Sequence, residues 1–483
     1  MIKANSIARR LSVAALVLAV GLLADLVPAR AQEQAAPPVP AKPAPTEAAP
    51  APAAAPPSGR AMTFDDVVAA AAKQNPDLVI ARTQVAAAKL GVKSAKGRRF
   101  PVVQLEAQGM RWNKPLSFEF AIPGMPADPN AKPITVRDQY MATLTARAVQ
   151  PLSGLIVISK LIKSERAGLR AAHADVESAR LDVVAHAARA FLGSLQARAL
   201  RDIATESISQ LDAQLEQARA LASVGSLDQV DVMRLDAAKA SAEQQLAAMD
   251  AAVHDADEGL LFILGMPLET ALQPVDNFPQ TLQPPSVDET QAVTTALNRP
   301  SLRAADARAV QAKGASDLAF SNLLPSVNAI AQADHTEGQG TFALKNSWFV
   351  GITLSWNVWD WGTNYNDMKA ADEQVRAARL TARRDRDKVS LEVRSAVRAA
   401  RAAYAKLDAA KRGAAAAEEA YRIQSVRFKE GALTTTDLLS AQVDATRARG
   451  ALALARFEYL SAIVSVHRAM GQQPQLATTE GSK

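Results

Sequence analysis

SWFVGITLSWNVWDWG, residues 347–362, carries two periodicities side by side. Trp348, Val350, Ile352, Leu354, Trp356 and Val358 fall on one face, and Phe349, Gly351, Thr353, Ser355 and Asn357 on the other. A period of two marks a strand with unlike faces. Beyond Gly362 the pattern changes. Met368, Val375, Ala382, Val389, Ala396, Ala403, Ala410 and Ala417 recur at every seventh position, and no proline interrupts the run before Gly431. A heptad held this long predicts a coiled-coil helix roughly 100 Å in length. A two-faced strand therefore runs into a helix longer than any globular core requires.

The same unit occurs earlier in the chain. In Asp138–Pro151, Tyr140, Ala142, Leu144, Ala146 and Ala148 oppose Met141, Thr143, Thr145 and Arg147. Gly154 follows, then a ladder through Ile162, Leu169, Val176, Val183, Ala190, Ala197, Ala204, Leu211 and Ala218 that stops before Gly225. Each unit is preceded by a helical pattern broken by proline, Thr63–Lys73 before Asn75-Pro76 and Val287–Leu297 before Arg299-Pro300. Each also has an alternating segment that opens on a proline, Pro101 or Pro325. Equivalent positions lie 224 residues apart early in the unit (Asn75, Arg299) and 206 apart late in it (Gly225, Gly431). The second copy thus has the shorter hairpin loop, and the chain reads as an internal duplication.

The expected organisation is an export signal over 1–31, a Pro/Ala-rich tether over 32–61 and a first repeat over 62–265. A linker over 266–286, a second repeat over 287–472 and a tail over 473–483 complete it. Strands are expected near 100–112, 138–152, 325–334 and 347–359, and helical-hairpin tips near 225 and 431. The export signal rests on Lys3, Arg9 and Arg10 before the apolar run Leu11–Leu23, with Ala29-Arg30-Ala31 as a small-x-small cleavage site. The tether holds nine of the 26 prolines, a composition that forms extended coil.

Composition excludes most chemistry. There is no cysteine, hence no disulfide, thiolate metal site or cysteine nucleophile. The five histidines, His173, His186, His254, His335 and His467, share no metal-ligand spacing. No phosphate loop, zinc-protease helix or Gly-x-Ser-x-Gly motif occurs. The expectation is a protein that is not an enzyme, with no catalytic residue, cofactor or metal. The formal charge of +6 falls to +3 once the signal is removed, and the basic run Lys369–Arg412 is interleaved with acidic residues. That run reads as a solvated helix face, not a nucleic-acid surface.

After the signal, no apolar stretch reaches the ~18 residues of a membrane helix, so any crossing must be made by strands. Segments of about ten residues, apolar on one face and mostly polar on the other, fit a membrane barrel. Trp112, Trp348, Trp356, Trp359 and Trp361, with Tyr140, lie in or beside these segments, where an interfacial girdle would sit. Four strands cannot close such a barrel, since the smallest have about eight; several chains must share one. A soluble sandwich alternates in the same way, and a periplasmic coiled-coil adaptor or scaffold without a barrel is the alternative reading.

The two tip motifs are GSLDQVDV at 225–232 and GALTTTDL at 431–438. Gly225 and Gly431 suit the left-handed residue that ends a helix. Asp228 and Thr434 are expected to cap the returning helix, with Asp231 and Asp437 at its third position, where a carboxylate complements the helix dipole. Leu227 and Leu433 are expected to pin the turns by packing.

These motifs, the Asn75-Pro76 break, the strand-opening Pro101 and Pro325 and the corners QPLSG (150–154) and WDWG (359–362) resemble the outer-membrane efflux protein (TolC-like) family over Met62 to Gln472. The resemblance implies a mainly α protein with a β membrane barrel, built as a homotrimer. Twelve strands would form the shared barrel, and a long coiled-coil helical barrel would cross the periplasm. It implies a passive exit duct, in outer-membrane lipid, for a drug-efflux pump or type I secretion system. Its partners would be a periplasmic adaptor (membrane fusion) protein and an inner-membrane pump of RND or ABC type. It makes Gly225, Leu227, Asp228, Asp231, Phe428, Gly431, Leu433, Thr434 and Asp437 the periplasmic tip, where the adaptor docks and the duct narrows. This chain departs from the better-known pattern at Phe428, Leu433 and Ser440, where the family often has tyrosine, arginine and aspartate.

Overall fold

In a computed structural model, the protein is described over residues 60–118, 133–340 and 344–476. The expected signal, most of the tether and the end of the tail lie outside the described residues. Seven strands are β1 (Arg60–Met62), β2 (Val102–Arg111), β3 (Leu116–Phe118), β4 (Ile134–Pro151), β5 (Leu272–Pro274), β6 (Ser326–Gln339) and β7 (Asn346–Ser355). The helices are α1 (Phe64–Gln74), α2 (Pro76–Gly97), α3 (Gly154–Ser223), α4 (Gln229–Leu264), α5 (Glu289–Ala296), α6 (Pro300–Ser321), α7 (Thr363–Lys429) and α8 (Thr435–Met470).

The sheet order sets the helix order. β2, β4, β6 and β7 pair antiparallel in that sequence, and β3 adds a short strand to β4. Each long strand is continuous in sequence with a long helix: α2 enters β2, β4 leaves into α3, α6 enters β6 and β7 leaves into α7. Pairing the strands therefore lays the helices side by side as α2–α3–α6–α7, with α3 packed on α2 and α6, and α6 on α7. Below them the hairpin partners α4 and α8, 36 residues each, return along α3 and α7. At 70 and 67 residues, α3 and α7 are each about 100 Å long. No rung of either heptad ladder is exposed.

The two returning helices end in the same way. Gly265 (φ 68°) closes α4 against Gln74 and Pro76, and Gly471 (φ 75°) closes α8 against Arg299. So α4 stacks beneath α2, and α8 beneath α6. Equivalent side chains tie the two joints: Asn75 Nδ2 donates to the Ile263 carbonyl at 2.7 Å, and Arg299 Nη1 to the Ala469 carbonyl at 3.2 Å. Arg299, 8% exposed, also pairs with Glu392 at 2.9 Å. Arg468 then joins Glu392 (2.7 Å) to Asp182 (2.8 Å), linking α8 to both long helices.

Around the first joint lies the main apolar core. Phe64 stacks edge-on against Phe191 (6.1 Å) and Phe278 (5.6 Å), with Leu260, Leu264 and Leu460 buried around them. A smaller core about Val393, Val397 and Val466 occupies the second joint.

The element boundaries correct the sequence reading in several places. The last residues assigned to the tether form β1, which pairs in parallel with β5 of the inter-repeat segment; that partner is remote in sequence. β4 starts at Ile134, where it pairs with Phe118 of β3, and β6 runs to Gln339, opposite Arg137 of β4. β7 ends at Ser355, opposite Ser326. The next residue on β6 is Pro325, which has no amide to donate, so Trp356–Trp361 leave the sheet.

Candidate channel wall and helical tips

Directly opposed residues in an antiparallel ladder share a face, so the register sorts the whole sheet. One row runs Leu105–Ala146–Ala333–Trp348 and the next Val103–Ala148–Ala331–Val350. The opposite face carries Glu106–Thr145–Asp334–Ser347 and Gln104–Arg147–Gln332–Phe349. The apolar face is bare: Leu105, Trp348, Val350 and Ile352 are 76%, 78%, 71% and 72% exposed. The polar face is hydrogen-bonded along itself. Asp334 accepts from Thr145 Oγ1 at 2.7 Å and from Gln332 Nε2 at 3.0 Å, and Gln104, Glu106, Gln108, Thr143, Thr145, Arg147 and Gln332 line a polar cleft of about 310 Å³. The outer strands β2 and β7 each leave one edge without a partner among the described residues.

The aromatic residues do not all lie on one surface. Tyr140 sits on the apolar face opposite Arg111, whose guanidinium lies 5.4 Å from its ring centre. Trp348 lies within β7, and Trp356, Trp359 and Trp361 follow it, with Trp359 and Trp361 packed edge-on at 5.8 Å. Trp356 is held by its indole N–H, which donates to the Leu323 carbonyl at 3.2 Å. Trp112 departs from this set. Its amide bonds to Gln139 at 2.8 Å, and the Arg137 guanidinium lies 3.7 Å from its ring centre. It follows the parity of Gln104, Glu106 and Gln108, and so stands with the polar face.

At the far end of the long helices, α3 and α7 both stop in the same double hydrogen bond. Ser226 N–H donates to the Leu221 carbonyl and Gly225 N–H to Ala222; Ala432 donates to Arg427 and Gly431 to Phe428. Gly225 and Gly431 have φ of 75° and 72°, the left-handed conformation this ending requires. Leu227 packs against a tip core of Leu211, Leu215, Val232 and Leu235; Phe428 is buried and Leu433 half-buried.

The two caps differ. Thr434 Oγ1 accepts from the Asp437 amide at 3.2 Å and donates to Asp437 Oδ2 at 2.6 Å. Asp228 holds the same position, but its side chain makes no cap hydrogen bond. The Asp231 amide is already taken by the Asp228 carbonyl at 3.0 Å, and the Asp231 carboxylate turns to Arg234 at 3.3 Å. Thr434→Ala should therefore loosen the first turn of α8 by about 1 kcal/mol, while Asp228→Ala leaves α4 unchanged. Amide exchange over 435–438 and 229–232 reads the difference, and equal acceleration in both would refute it.

Polar links between the two hairpins are absent from the sequence reading. Arg234 Nη1 reaches Thr436 Oγ1 at 3.3 Å, and Gln214 Nε2 donates to the Tyr421 hydroxyl at 2.9 Å. Burial pushes the Tyr421 phenol above its ordinary pKa, so it stays protonated. Arg449 on α8 bridges Glu206 of α3 (2.7 Å) and Glu418 of α7 (2.6 Å), and Gln442 Nε2 donates to the Ser207 carbonyl. Most of these partners are over 200 residues apart in sequence, so no local spacing marks them. Among the described residues, no group of three or more His, Asp or Glu could hold a metal ion, and no helix is long and apolar enough to cross a membrane.

Comparison with known proteins agrees with this architecture. The profile of the outer membrane efflux protein family matches residues 67–266 and 293–472. The chain is 28% identical over 290 residues to the outer membrane efflux protein BepC of Brucella suis biovar 1 (strain 1330). That alignment covers 59% of this chain and 62% of BepC, less than two thirds of the relative. Among solved structures, the fold is similar to the outer-membrane channel OprN (TM-score 0.71, 22% identity, 84% of this chain and 89% of that one). It is also similar to the CmeC outer membrane channel of Campylobacter jejuni (TM-score 0.72, 17% identity, 86% and 88%). With its two-faced sheet and long hairpins, the chain belongs to the outer membrane efflux protein family, TolC-like in form, and is placed in the outer membrane with its helical part in the periplasm.

Proposed function

We propose that three copies of this chain close into one duct, the exit conduit of a tripartite efflux pump or type I secretion system. The observation that carries the reading is a sheet with one bare apolar face, one polar face and two open edges. Four strands fall short of a membrane barrel, and open edges in lipid are not tolerated; β2 of one copy pairing with β7 of the next removes both faults. Three copies supply twelve strands and four helical strands each for the tube below. The edge helices support the same closure, with Val79, Ile80 and Leu90 exposed on α2 and Leu380 and Leu391 on α7. The partition into repeats 62–265 and 287–472 joined by 266–286 is part of this reading.

In the assembled duct the polar face lines the lumen and the apolar face meets lipid. Tyr140, Trp348, Trp356, Trp359 and Trp361 are its interfacial aromatics, and Trp112 stands at the mouth of the lumen. The tips around Gly225, Leu227, Asp228, Asp231, Phe428, Gly431, Leu433, Thr434 and Asp437 face a periplasmic adaptor, and the inner-membrane pump supplies the energy. Transport is passive and needs no cofactor. Opening separates the α3–α4 hairpin from α7–α8, against the Arg234–Thr436, Gln214–Tyr421 and Arg449 links.

Negative-stain images of the detergent-extracted protein should show three-fold particles on the order of 140 Å long; slender monomers soluble without detergent would favour a periplasmic scaffold. In planar bilayers, Arg234→Ala with Arg449→Ala should raise the conductance of the closed channel severalfold. Unchanged conductance would remove these links from the gate.

A further inference from the structure

Below the strand-to-helix corners, α3, α6 and α7 enclose a second cleft of about 240 Å³. Its lining is small and mostly apolar: exposed Val310, half-buried Ala309, and buried Gly314 beside Ser164, where α6 approaches α3 so closely that a Cβ on Gly314 would stand 2.3 Å from Ser164 Cβ. Its rim is cationic. Lys160, Lys163, Lys313 and Arg379 face a single carboxylate, Asp317. Asp317 is shared by Lys313 (3.1 Å) and Lys160 (3.8 Å), while Lys163 and Arg379 have no ion-pair partner among the described residues. A contiguous cleft on the other side of Lys313 and Arg379 adds Arg376 and Arg383 against Asp372.

On two helices this rim shares a face with an exposed apolar or aromatic residue of the first turn. Lys160 and Lys163 share a face of α3 with Ile156, 73% exposed in its first turn. On α7, Tyr365, Lys369, Arg376 and Arg379 share one face, with Lys369 lying over the Tyr365 ring at 5.5 Å; Tyr365 stands close in sequence to the exposed Trp359 and Trp361. Lys160 is about 9 Å of helix below Gly154. From there a lysine reaches the head-group layer by extending its stem along apolar surface.

We infer that this cleft seats the phosphate head of an anionic amphiphile, taken from the inner leaflet that surrounds the barrel. The mostly apolar lining and lysine stems accept the glycerol and first methylenes, and Lys163 and Arg379 supply the two uncompensated charges. The inference rests on the duct reading, because it uses the lipid-facing side of the wall.

The test uses the assembled protein in nanodiscs of phosphatidylcholine carrying phosphatidylglycerol, wild type against the K163Q/R379Q double variant. Native mass spectrometry reads phosphatidylglycerol retained per chain, and single-channel conductance is recorded on the same preparations. Both replaced side chains are exposed and unpaired, so the variant folds. Retention should fall roughly 30-fold, the effect of two interfacial cations, at unchanged conductance. Equal retention with normal conductance overturns the cleft alone, whereas a wild type that forms no channel overturns the duct reading. Displacement of the lipid by an equal concentration of glycerol 3-phosphate would keep the phosphate site but overturn the membrane as its source.

Discussion

Ile352→Arg is expected to block assembly in the outer membrane, while Thr353→Arg, one residue along the same strand, is expected to be tolerated. Ile352 is in the middle of the apolar face of β7 and 72% exposed. An arginine at the mid-plane of a barrel wall costs about 2–4 kcal/mol, and the proposed three-fold assembly would repeat that cost in every copy. Thr353 opposes Asn328 on the polar face, where a guanidinium meets water. The measurement is the amount of folded, heat-modifiable oligomer in outer-membrane fractions of cells producing each variant. Equal yields would refute the assignment of the two faces and, with it, the barrel. No comparable contrast is expected from a soluble sandwich, in which both residues would sit near water or protein.

The second large effect concerns two glycines that a sequence cannot tell apart. Gly314 and Gly413 both lie inside long helices, α6 and α7. A Cβ on Gly314 would stand 2.3 Å from Ser164 Cβ and 3.1 Å from its Cα, whereas nothing lies within 4 Å of one on Gly413. Gly314→Ala should therefore destabilise by about 3 kcal/mol, at the severe end for overpacking, because two helices fixed along their length cannot part locally. Gly413→Ala should stabilise by about 0.5–1 kcal/mol, from helix propensity alone. Thermal unfolding of the detergent-solubilised protein, followed by circular dichroism, distinguishes the two. Shifts of the same sign would show that the α3–α6 crossing is not tight.

Much of the fold follows from periodicities that are local. The alternation in Ser347–Ser355 and the ladders from Ile162 and Met368 depend only on which neighbours share a face, a property of each strand or helix by itself. The left-handed glycines at 225 and 431 are local too, since a helix must end within one residue of where its hydrogen bonds stop. The expected duplication is readable because both copies keep the same proline and glycine marks in the same order, 224 residues apart early and 206 apart late.

What the sequence left open depends on partners far away in the chain. Thr434 caps and Asp228 does not, though both occupy the same position; the difference lies in whether the turn's own carbonyl has already taken the amide. Trp112 reads as one more girdle tryptophan until the register with β4 places it beside Arg137. Arg299 looks like a generic residue before proline, yet it is buried, pairs with the half-buried Glu392 and makes a bond like that of Asn75 at the first joint. The sequence by itself determined the elements and their faces, because these rest on periods of two and seven residues, and it marked the expected repeat at offsets of 206 to 224 residues. Only the tertiary structure decided the helix order, the links between hairpins and the cationic cleft. Those depend on strand pairing across nearly 200 residues, and no local pattern encodes which strand will lie beside which.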